Sequence, residues 1–216
     1  MKHMKTWVPA ALLSAGCMAL AAPAVACETT VGVVMSLTGP AGQYGQAGAK
    51  SVEMAFDDIN KAGGANGCDL VTDSRDAQSQ GNVAVDQARQ LVNIKNVPVI
   101  IGGIISSVSI PILTSVTAPG KVVQVSPASS SPTLTQLAKD GKTDGYFFRT
   151  ITSDALQGTA AAKYAIDSGL KKLAVIYVNN DFGVNMVKEF TAAYEKFGGT
   201  ITSSTPYNEK QANYNA

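Results

Sequence analysis

The sequence is poor in the residues that build nucleophilic and metal centres, with one histidine, three cysteines and one tryptophan among 216 residues. The single histidine, His3, lies in an N-terminal segment that we expect to be removed. Without it, the chain has no Ser-His-Asp or Cys-His nucleophilic centre and no histidine-based zinc site. We therefore predict no metal, no cofactor and no enzymatic activity, since an enzyme would need a base or cofactor that these residues do not identify.

Charge is also scarce, because only 15% of the residues are charged and the formal net charge is +1. The sequence contains no run of five or more basic residues. Nucleic-acid binding depends on neutralising many phosphates with lysine and arginine. We therefore expect no nucleic-acid partner.

Residues 1–26 have the pattern of a signal peptide. Lys2 and Lys5 precede an apolar stretch over residues 7–22, and small residues at Ala22, Ala24 and Ala26 offer cleavage sites. A membrane anchor is the alternative, but the stretch is short and is interrupted by proline, serine and glycine. We predict an exported protein, periplasmic or otherwise extracytoplasmic.

The three cysteines suggest two different modifications. Cys17 ends a loose match to a lipoprotein processing site, so lipid anchoring there is an alternative to its being an apolar residue inside the signal. Cys27 and Cys68 precede the first two predicted strands, which lie side by side in common doubly wound sheets. Export favours a disulfide between them, closing a loop of about 40 residues; two free thiols are the alternative.

From residue 29 onward, short apolar runs alternate with segments of helical period, which predicts an α/β fold with a doubly wound parallel sheet. The first predicted helix covers residues 46–62 and the second strand covers residues 68–72. We predict an N-terminal lobe over residues 27–150 and the start of a second, incomplete lobe over residues 151–216. The second unit has too few elements to cover its own sheet, so we expect the sequence to be part of a longer chain.

Small hydroxyl residues follow two neighbouring predicted strands, at the carboxyl edge where open α/β sheets hold ligands. Ser106 and Ser107 precede a helix whose amino end favours an anion such as a carboxylate. Ala128, Ser129 and Ser130 supply hydroxyl and backbone oxygens that accept from an ammonium group. Each serine alone is better explained as a helix cap or turn former, but their recurrence on two adjacent loops favours a binding site.

Two aromatic residues, Tyr44 and Phe182, stand in glycine-flanked segments predicted as loops, where they face either a ligand or their own domain. Asp73 and Asp76 end the second predicted strand, the position of a ribose contact in dinucleotide folds. The first loop lacks the Gly-x-Gly-x-x-Gly pattern, so we interpret these aspartates as solvated or bonded to loops. Arg149 is left without an assigned partner.

Five stretches together resemble the periplasmic substrate-binding proteins of branched-chain amino acid ABC transporters, the Leu/Ile/Val-binding group. They are "VGVVMSLTGPAGQYGQAGAKSVEMAFDDINKAGG", "VIIGGIISSVS", "VSPASSSPTLT", "FFRTITSDALQG" and "LAVIYVNNDFG". They occur in the order that the family has, over essentially all of residues 27–205. The combination is specific, although each stretch alone is not.

The resemblance implies a two-lobed Venus-flytrap fold, periplasmic-binding-protein type I, that closes on a small solute and presents it to permease subunits of an ABC importer. It implies that Ser106, Ala128 and Ser130 hold the carboxylate and ammonium groups of an amino acid, and that Tyr44 and Phe182 line the pocket. Many relatives have tyrosine where this chain has Phe182, so a hydroxyl contact of the family is lost here. The expected ligand is an amino acid or a related small carboxylate, aromatic acids included. A ligand-sensing module coupled to a receptor is the alternative to transport. Family members are nearly twice as long as this sequence.

Overall fold

The computed structural model describes residues 27–209 and residue 213. The predicted signal peptide, residues 1–26, and the lipidation hypothesis at Cys17 lie outside the described residues. Within the described residues, strands and helices alternate along the chain, and the strands form two separate parallel sheets. The α/β class and the parallel sheet predicted from the sequence are confirmed.

The first sheet has five parallel strands in the spatial order β2-β1-β3-β4-β5. The strands are β1 (Glu28–Met35), β2 (Asp69–Asp76), β3 (Val99–Gly102), β4 (Val123–Ser126) and β5 (Phe147–Arg149). Because β1 lies between β2 and β3, the chain winds outward in both directions from β1. A crevice forms at the carboxyl ends of strands where the winding direction changes.

Four helices connect these strands and cover both faces of the sheet. They are α1 (Gly42–Lys61), α2 (Gly81–Asn93), α3 (Ser106–Ile112), which continues as a π-helical turn over Leu113–Thr117, and α4 (Pro132–Lys139). On one face, Val34 of β1 packs with Leu91 of α2 and Val108 of α3. On the other face, Val33 and Met35 pack beneath α1. Adjacent β1 residues therefore serve opposite cores, as strand geometry requires of a sheet covered on both sides.

The second sheet has two parallel strands, β6 (Lys172–Val178) and β7 (Thr200–Tyr207). Helices α5 (Asp154–Asp167) and α6 (Asp181–Lys196) pack against each other, and α6 also contacts α3. Tyr194 of α6 is fully buried, and its hydroxyl donates to the Leu170 carbonyl oxygen at 2.7 Å. The lobe boundary near residue 150 stays a prediction.

Cys27 and Cys68 form a disulfide, which confirms the predicted pairing. The first register pair of the neighbouring strands β1 and β2 is Glu28 with Asp69, so each cysteine immediately precedes its strand. The bond therefore joins two strands at their amino ends, at the edge opposite to the crevice.

Three elements differ from the sequence predictions. Helix α1 begins at Gly42 rather than at residue 46, and β2 extends to Asp76 rather than ending at residue 72. Helix α4 was not predicted, although Ser131 is its N-cap, accepting from the Thr133 N–H at 3.2 Å, and Pro132 occupies the first turn. The early start of α1 places Tyr44 in a helical turn, where the sequence had predicted a loop.

Candidate ligand-binding site

A cavity of about 550 Å³ lies over the carboxyl edge of the first sheet. Residues from α1, from the loops after β3 and β4, and from α5 and α6 line it, including Tyr44, Ile104, Ser106, Ala128, Ser130 and Phe182. Small-molecule pockets commonly have a volume of about 300 to 1,000 Å³ and combine apolar walls with a few convergent polar groups. The cavity has the size and the composition for one small solute.

The polar side of the cavity is formed by Ser106 and Ser130, both buried. The Ser106 hydroxyl oxygen accepts from the backbone N–H of Ser131 at 3.2 Å, which ties the loop after β3 to the loop after β4. A hydroxyl that accepts in this way still has its own proton to donate. Ser106 can therefore hold an anionic oxygen in the cavity while it joins the two loops.

The apolar side includes two aromatic residues from helices that pack on different sheets. Tyr44 lies in the first turn of α1 and is 71% exposed, while Phe182 lies in the first turn of α6 and is 40% exposed. Both rings therefore keep accessible surface that a bound solute can cover. Burial of that surface stabilises a complex by about 25 cal/mol per Å².

A glycine follows each of these aromatic residues and lets its helix approach a strand end closely. A Cβ atom at Gly45 would overlap the backbone of Ser36, and one at Gly183 would overlap the carbonyl oxygen of Val178. Helices α1 and α6 therefore start against the tips of β1 and β6 in the same way. This contact positions Tyr44 over the cavity, and it also explains why a glycine-rich segment is helical despite its low helix propensity.

Two of the predicted site residues do not line the cavity. Ser107 is half-buried, and its carbonyl oxygen lies beside Gly81. Ser129 is fully buried, and its hydroxyl lies 2.6 Å from that of Ser109 and 3.3 Å from the Gly103 carbonyl oxygen. The Ser129 side chain is therefore directed into the protein interior, whereas the sequence had grouped it with Ser130 as a ligand contact.

Sequence reasoning missed a buried hydroxyl network beneath these loops. The Ser109 hydroxyl accepts from the Gly103 N–H at 2.9 Å, and the Ser126 hydroxyl donates to the Gly103 carbonyl at 2.7 Å. The Ser126 hydroxyl in turn accepts from the Ser129 N–H at 3.0 Å. The feature of the sequence that could have indicated this network is the presence of serines within otherwise apolar strands and helices. The network holds the loops after β3 and β4 against each other and so supports the cavity lining.

The segment that joins the two sheets is bonded to the same loop. Arg149 donates to the carbonyl oxygens of Ser129 and Ser131 at 3.2 and 3.0 Å, and the Asp154 N–H donates to that of Ser130 at 2.9 Å. Burial lowers the pKa of Arg149, which the charge of Asp154 opposes. Arg149 and Asp154, at the two ends of the segment between the sheets, thus bond three consecutive carbonyl groups of the loop after β4. These carbonyl groups are the partners of Arg149 that the sequence could not assign.

Asp76, at the end of β2, organises the loop after β1. Its carboxylate accepts from the backbone N–H groups of Leu37, Thr38 and Gln78 at 2.9, 3.1 and 2.7 Å, and from the Thr38 hydroxyl at 2.6 Å. Burial acts to raise the pKa of Asp76, but these hydrogen bonds together lower it below the ordinary value of an aspartate. Asp73 instead pairs with Arg75 at 2.6 Å. Asp76 is bonded to a loop, as interpreted from the sequence, whereas Asp73 forms an ion pair within its own strand.

Within residues 27–209 and 213, no three histidine, cysteine, aspartate or glutamate side chains are grouped so that they could hold a metal ion. None of the described helices is both long and apolar enough to cross a membrane.

The family model described as "Periplasmic binding protein" matches residues 28–216. The Leu/Ile/Val-binding protein homolog 3 of Brucella melitensis biotype 1 is 31% identical over 180 residues, which are 83% of this chain and 47% of that protein. The chemotactic signal transduction system substrate-binding protein BasB of Halobacterium salinarum is 28% identical, over 82% of this chain and 43% of that protein. The chain spans about half the length of the curated relatives it matches.

Solved structures have the same fold. The ABC transporter substrate-binding protein from Desulfitobacterium hafniense in complex with Leu matches with a TM-score of 0.68 and 26% identity, over 83% of this chain and 51% of that one. A solute-binding protein of an ABC transporter from Rhodopseudomonas palustris BisB5, in complex with 3,4-dihydroxybenzoic acid, matches with a TM-score of 0.74 and 19% identity, over 84% of this chain and 47% of that one.

These matches confirm the family expected from the sequence stretches and the type I periplasmic-binding-protein fold. The match to the family model extends across both sheets and every loop that lines the cavity. The family model and the relatives are named for binding. The chain belongs to the periplasmic binding protein family.

Proposed function

We propose that this protein is an exported solute-binding protein that captures an amino acid or a related small carboxylate, aromatic acids included, and delivers it to the permease subunits of an ABC importer. The observation that carries the proposal is the cavity itself, where buried serine hydroxyls face aromatic rings contributed from the other side. The Leu/Ile/Val-binding relative supports an amino acid as ligand, and the complex with 3,4-dihydroxybenzoic acid supports an aromatic acid.

In this proposal each end of the ligand has its own partners. The Ser106 hydroxyl donates to the ligand carboxylate, because its oxygen already accepts from Ser131 and its proton is free to be directed into the cavity. The Ala128 carbonyl oxygen and the Ser130 hydroxyl accept from an ammonium group. Tyr44 and Phe182 cover the ligand side chain.

In this proposal, ligand binding is coupled to closure of the second sheet and its helices over the first. A ligand that contacts Ser106 on one side and Phe182 on the other gains both sets of contacts only when α6 lies close to the first sheet. Such a ligand shifts the population from the open to the closed arrangement by its difference in affinity for the two. We propose that the protein binds and releases its ligand without converting it.

The test is a calorimetric titration of the purified protein with a panel of L-amino acids and aromatic carboxylic acids, repeated with two serine variants. We expect a tight binder in the panel, and about a tenfold or greater loss of affinity in Ser106→Ala, because a hydrogen bond to a charged group contributes about 1.5 to 3 kcal/mol. Ser107→Ala is the matched control and should bind normally, because Ser107 does not line the cavity. Absence of binding across the panel would refute the proposal.

A sensing role is the second candidate, supported by the chemotactic relative from Halobacterium salinarum. The same cavity serves either role, because ligand capture and closure do not depend on which membrane protein reads the closed form. Affinity capture of the ligand-loaded protein from source-cell membranes separates the two. Recovery of permease subunits favours import, and recovery of a chemoreceptor favours sensing.

A further inference from the structure

Gln157 is a polar residue of the cavity wall that the sequence analysis did not single out. It lies in the first turn of α5, three residues after Asp154, and lines the cavity together with Ser130 and Phe182. It therefore lies on the side of the cavity formed by the connection between the two sheets, where no other proposed ligand contact originates.

The orientation of the Gln157 side-chain amide is constrained by its neighbour. Its Nε2 donates to Oδ1 of Asp154 at 3.1 Å. A carboxylate oxygen accepts from an N–H group, so in this arrangement the amide nitrogen faces Asp154 and the amide oxygen is directed away from it. The amide oxygen Oε1 is the end that remains for a ligand, and it is an acceptor.

Asp154 is fixed in place and enclosed. It is fully buried, its backbone N–H donates to the Ser130 carbonyl oxygen at 2.9 Å, and its Oδ2 has no hydrogen-bond partner among the described residues. The pKa of Asp154 is raised, chiefly by burial; the nearby Ser130 hydroxyl and the Arg149 charge oppose this rise, and the Glu189 charge adds to it. A buried carboxylate with an unpaired oxygen costs free energy. Its presence here therefore calls for an explanation that an apolar residue would not satisfy.

We propose that Gln157 contacts the ligand and selects for one that carries a hydrogen-bond donor, an ammonium or hydroxyl group, on the α5 side of the cavity, and that Asp154 is the positioning residue that keeps the Gln157 amide oxygen directed there. The inference rests on the proposed solute-binding function, which it refines by naming a feature of the ligand.

The roles of the two residues make different predictions. Replacing Gln157 by methionine keeps the length of the side chain and removes the acceptor, so ligands with the donor lose affinity and ligands without it do not. Replacing Asp154 by asparagine leaves Gln157 in place, but an asparagine amide both donates and accepts. Gln157 is then free to turn, and the preference for a donor-bearing ligand falls although no ligand contact has been removed.

The experiment measures the dissociation constants of two matched ligand pairs on the full chain. The pairs are L-leucine with 4-methylpentanoate, which lacks the amino group, and 4-hydroxybenzoate with benzoate, which lacks the phenolic hydroxyl. The measured quantity is the affinity ratio within the pair that the unaltered protein binds. Gln136→Met is the matched control, because Gln136 donates to Asp140 at 2.7 Å in a similar pair on α4, away from the cavity.

We expect Gln157→Met to lower the affinity ratio by about tenfold or more, as the loss of a hydrogen bond to a charged donor predicts. Asp154→Asn should lower the same ratio, and the double variant should lower it no further than Gln157→Met alone, because both act through one contact. Gln136→Met should leave the ratio unchanged.

A ratio in Gln157→Met within about twofold of that of the unaltered protein overturns this inference while leaving the proposed function intact. If the unaltered protein binds neither pair but binds another ligand of the panel, the same ratio is measured for that ligand and its analogue without the donor group. Absence of binding across the whole panel refutes the proposed function and this inference together. If Asp154→Asn does not fold, Gln157→Met decides the question alone. A drop in both affinities of a pair, with an unchanged ratio, also overturns the inference, because it indicates a structural role only.

Discussion

The close approach of α1 to the tip of β1 predicts that even alanine in place of Gly45 destabilises the protein. A Cβ atom at Gly45 would overlap the carbonyl oxygen, carbonyl carbon and amide nitrogen of Ser36. Ser36 is a fully buried residue directly after β1, and its backbone atoms cannot rotate away as the end of a flexible side chain can. Gly48, one turn later on the same helix, is different, since the nearest atom to its Cβ would be the Ile104 side chain at 3.5 Å, an ordinary contact.

The two substitutions should therefore change stability in opposite directions. Alanine is favoured over glycine in a helix interior by about 1 kcal/mol, and Gly48→Ala should gain up to that amount. Gly45→Ala has the same helical gain but must displace α1 from β1, and overpacking of a core costs about 1 to 3 kcal/mol. Because the overlap is with backbone, we expect the upper end of that range and a net loss of about 2 kcal/mol. For a chain of this size, that loss lowers Tm by about 4 to 8 °C.

Urea unfolding followed by circular dichroism, with thermal melting as a second measurement, compares the two variants with the unaltered protein. Equal stability of Gly45→Ala and Gly48→Ala would refute the reasoning. The second sheet offers an independent repeat, because a Cβ atom at Gly183 would overlap the Val178 carbonyl oxygen in the same way. Gly183→Ala should also be destabilising.

Three further predictions concern bonds elsewhere in the fold. Replacing Cys27 and Cys68 by serine should lower the unfolding free energy by about 3 to 4 kcal/mol, as the loop-entropy model gives for the 41-residue separation; an unchanged Tm in the double variant, or on reduction of the native protein, would contradict it. Asp76→Ala should lose about 2 kcal/mol at pH 7. Because hydrogen bonds lower the Asp76 pKa in the folded state, this contribution is complete above the unfolded pKa of about 4 and is lost as the pH falls through the lower folded value; a difference between variant and native protein that does not shrink as the pH is lowered below about 4 in urea titrations would argue against it. Ser109→Ala should cost about 1 to 3 kcal/mol, because the buried N–H of Gly103 loses its acceptor; a loss below about 0.5 kcal/mol in the same assay would be incompatible with the network.

The class of the fold and the position of the serine-rich loops could be predicted, because both depend on patterns within short segments. Apolar runs alternating with helical stripes predict parallel strands, and a parallel sheet brings all carboxyl ends to one edge. The start of α1 could not be predicted, because glycines over residues 42–48 argue against a helix and only the contact with β1 favours one. The short helix α4 had a readable start, with serine before proline, but too few turns to show a clear period.

The direction of individual side chains was the part of the site that the sequence could not reveal. Ser129 and Ser130 are adjacent and chemically identical, yet one hydroxyl meets Ser109 in the interior and the other residue lines the cavity. The backbone of a loop has no fixed period that would assign such faces. Gln157 illustrates the same limit from a helix, because a glutamine in a first turn is usually solvated, and only the fold places it beside both a buried carboxylate and a cavity. The set of polar groups that line this cavity therefore depends on contacts between distant segments, whereas the groups that identify the family lie within single short segments.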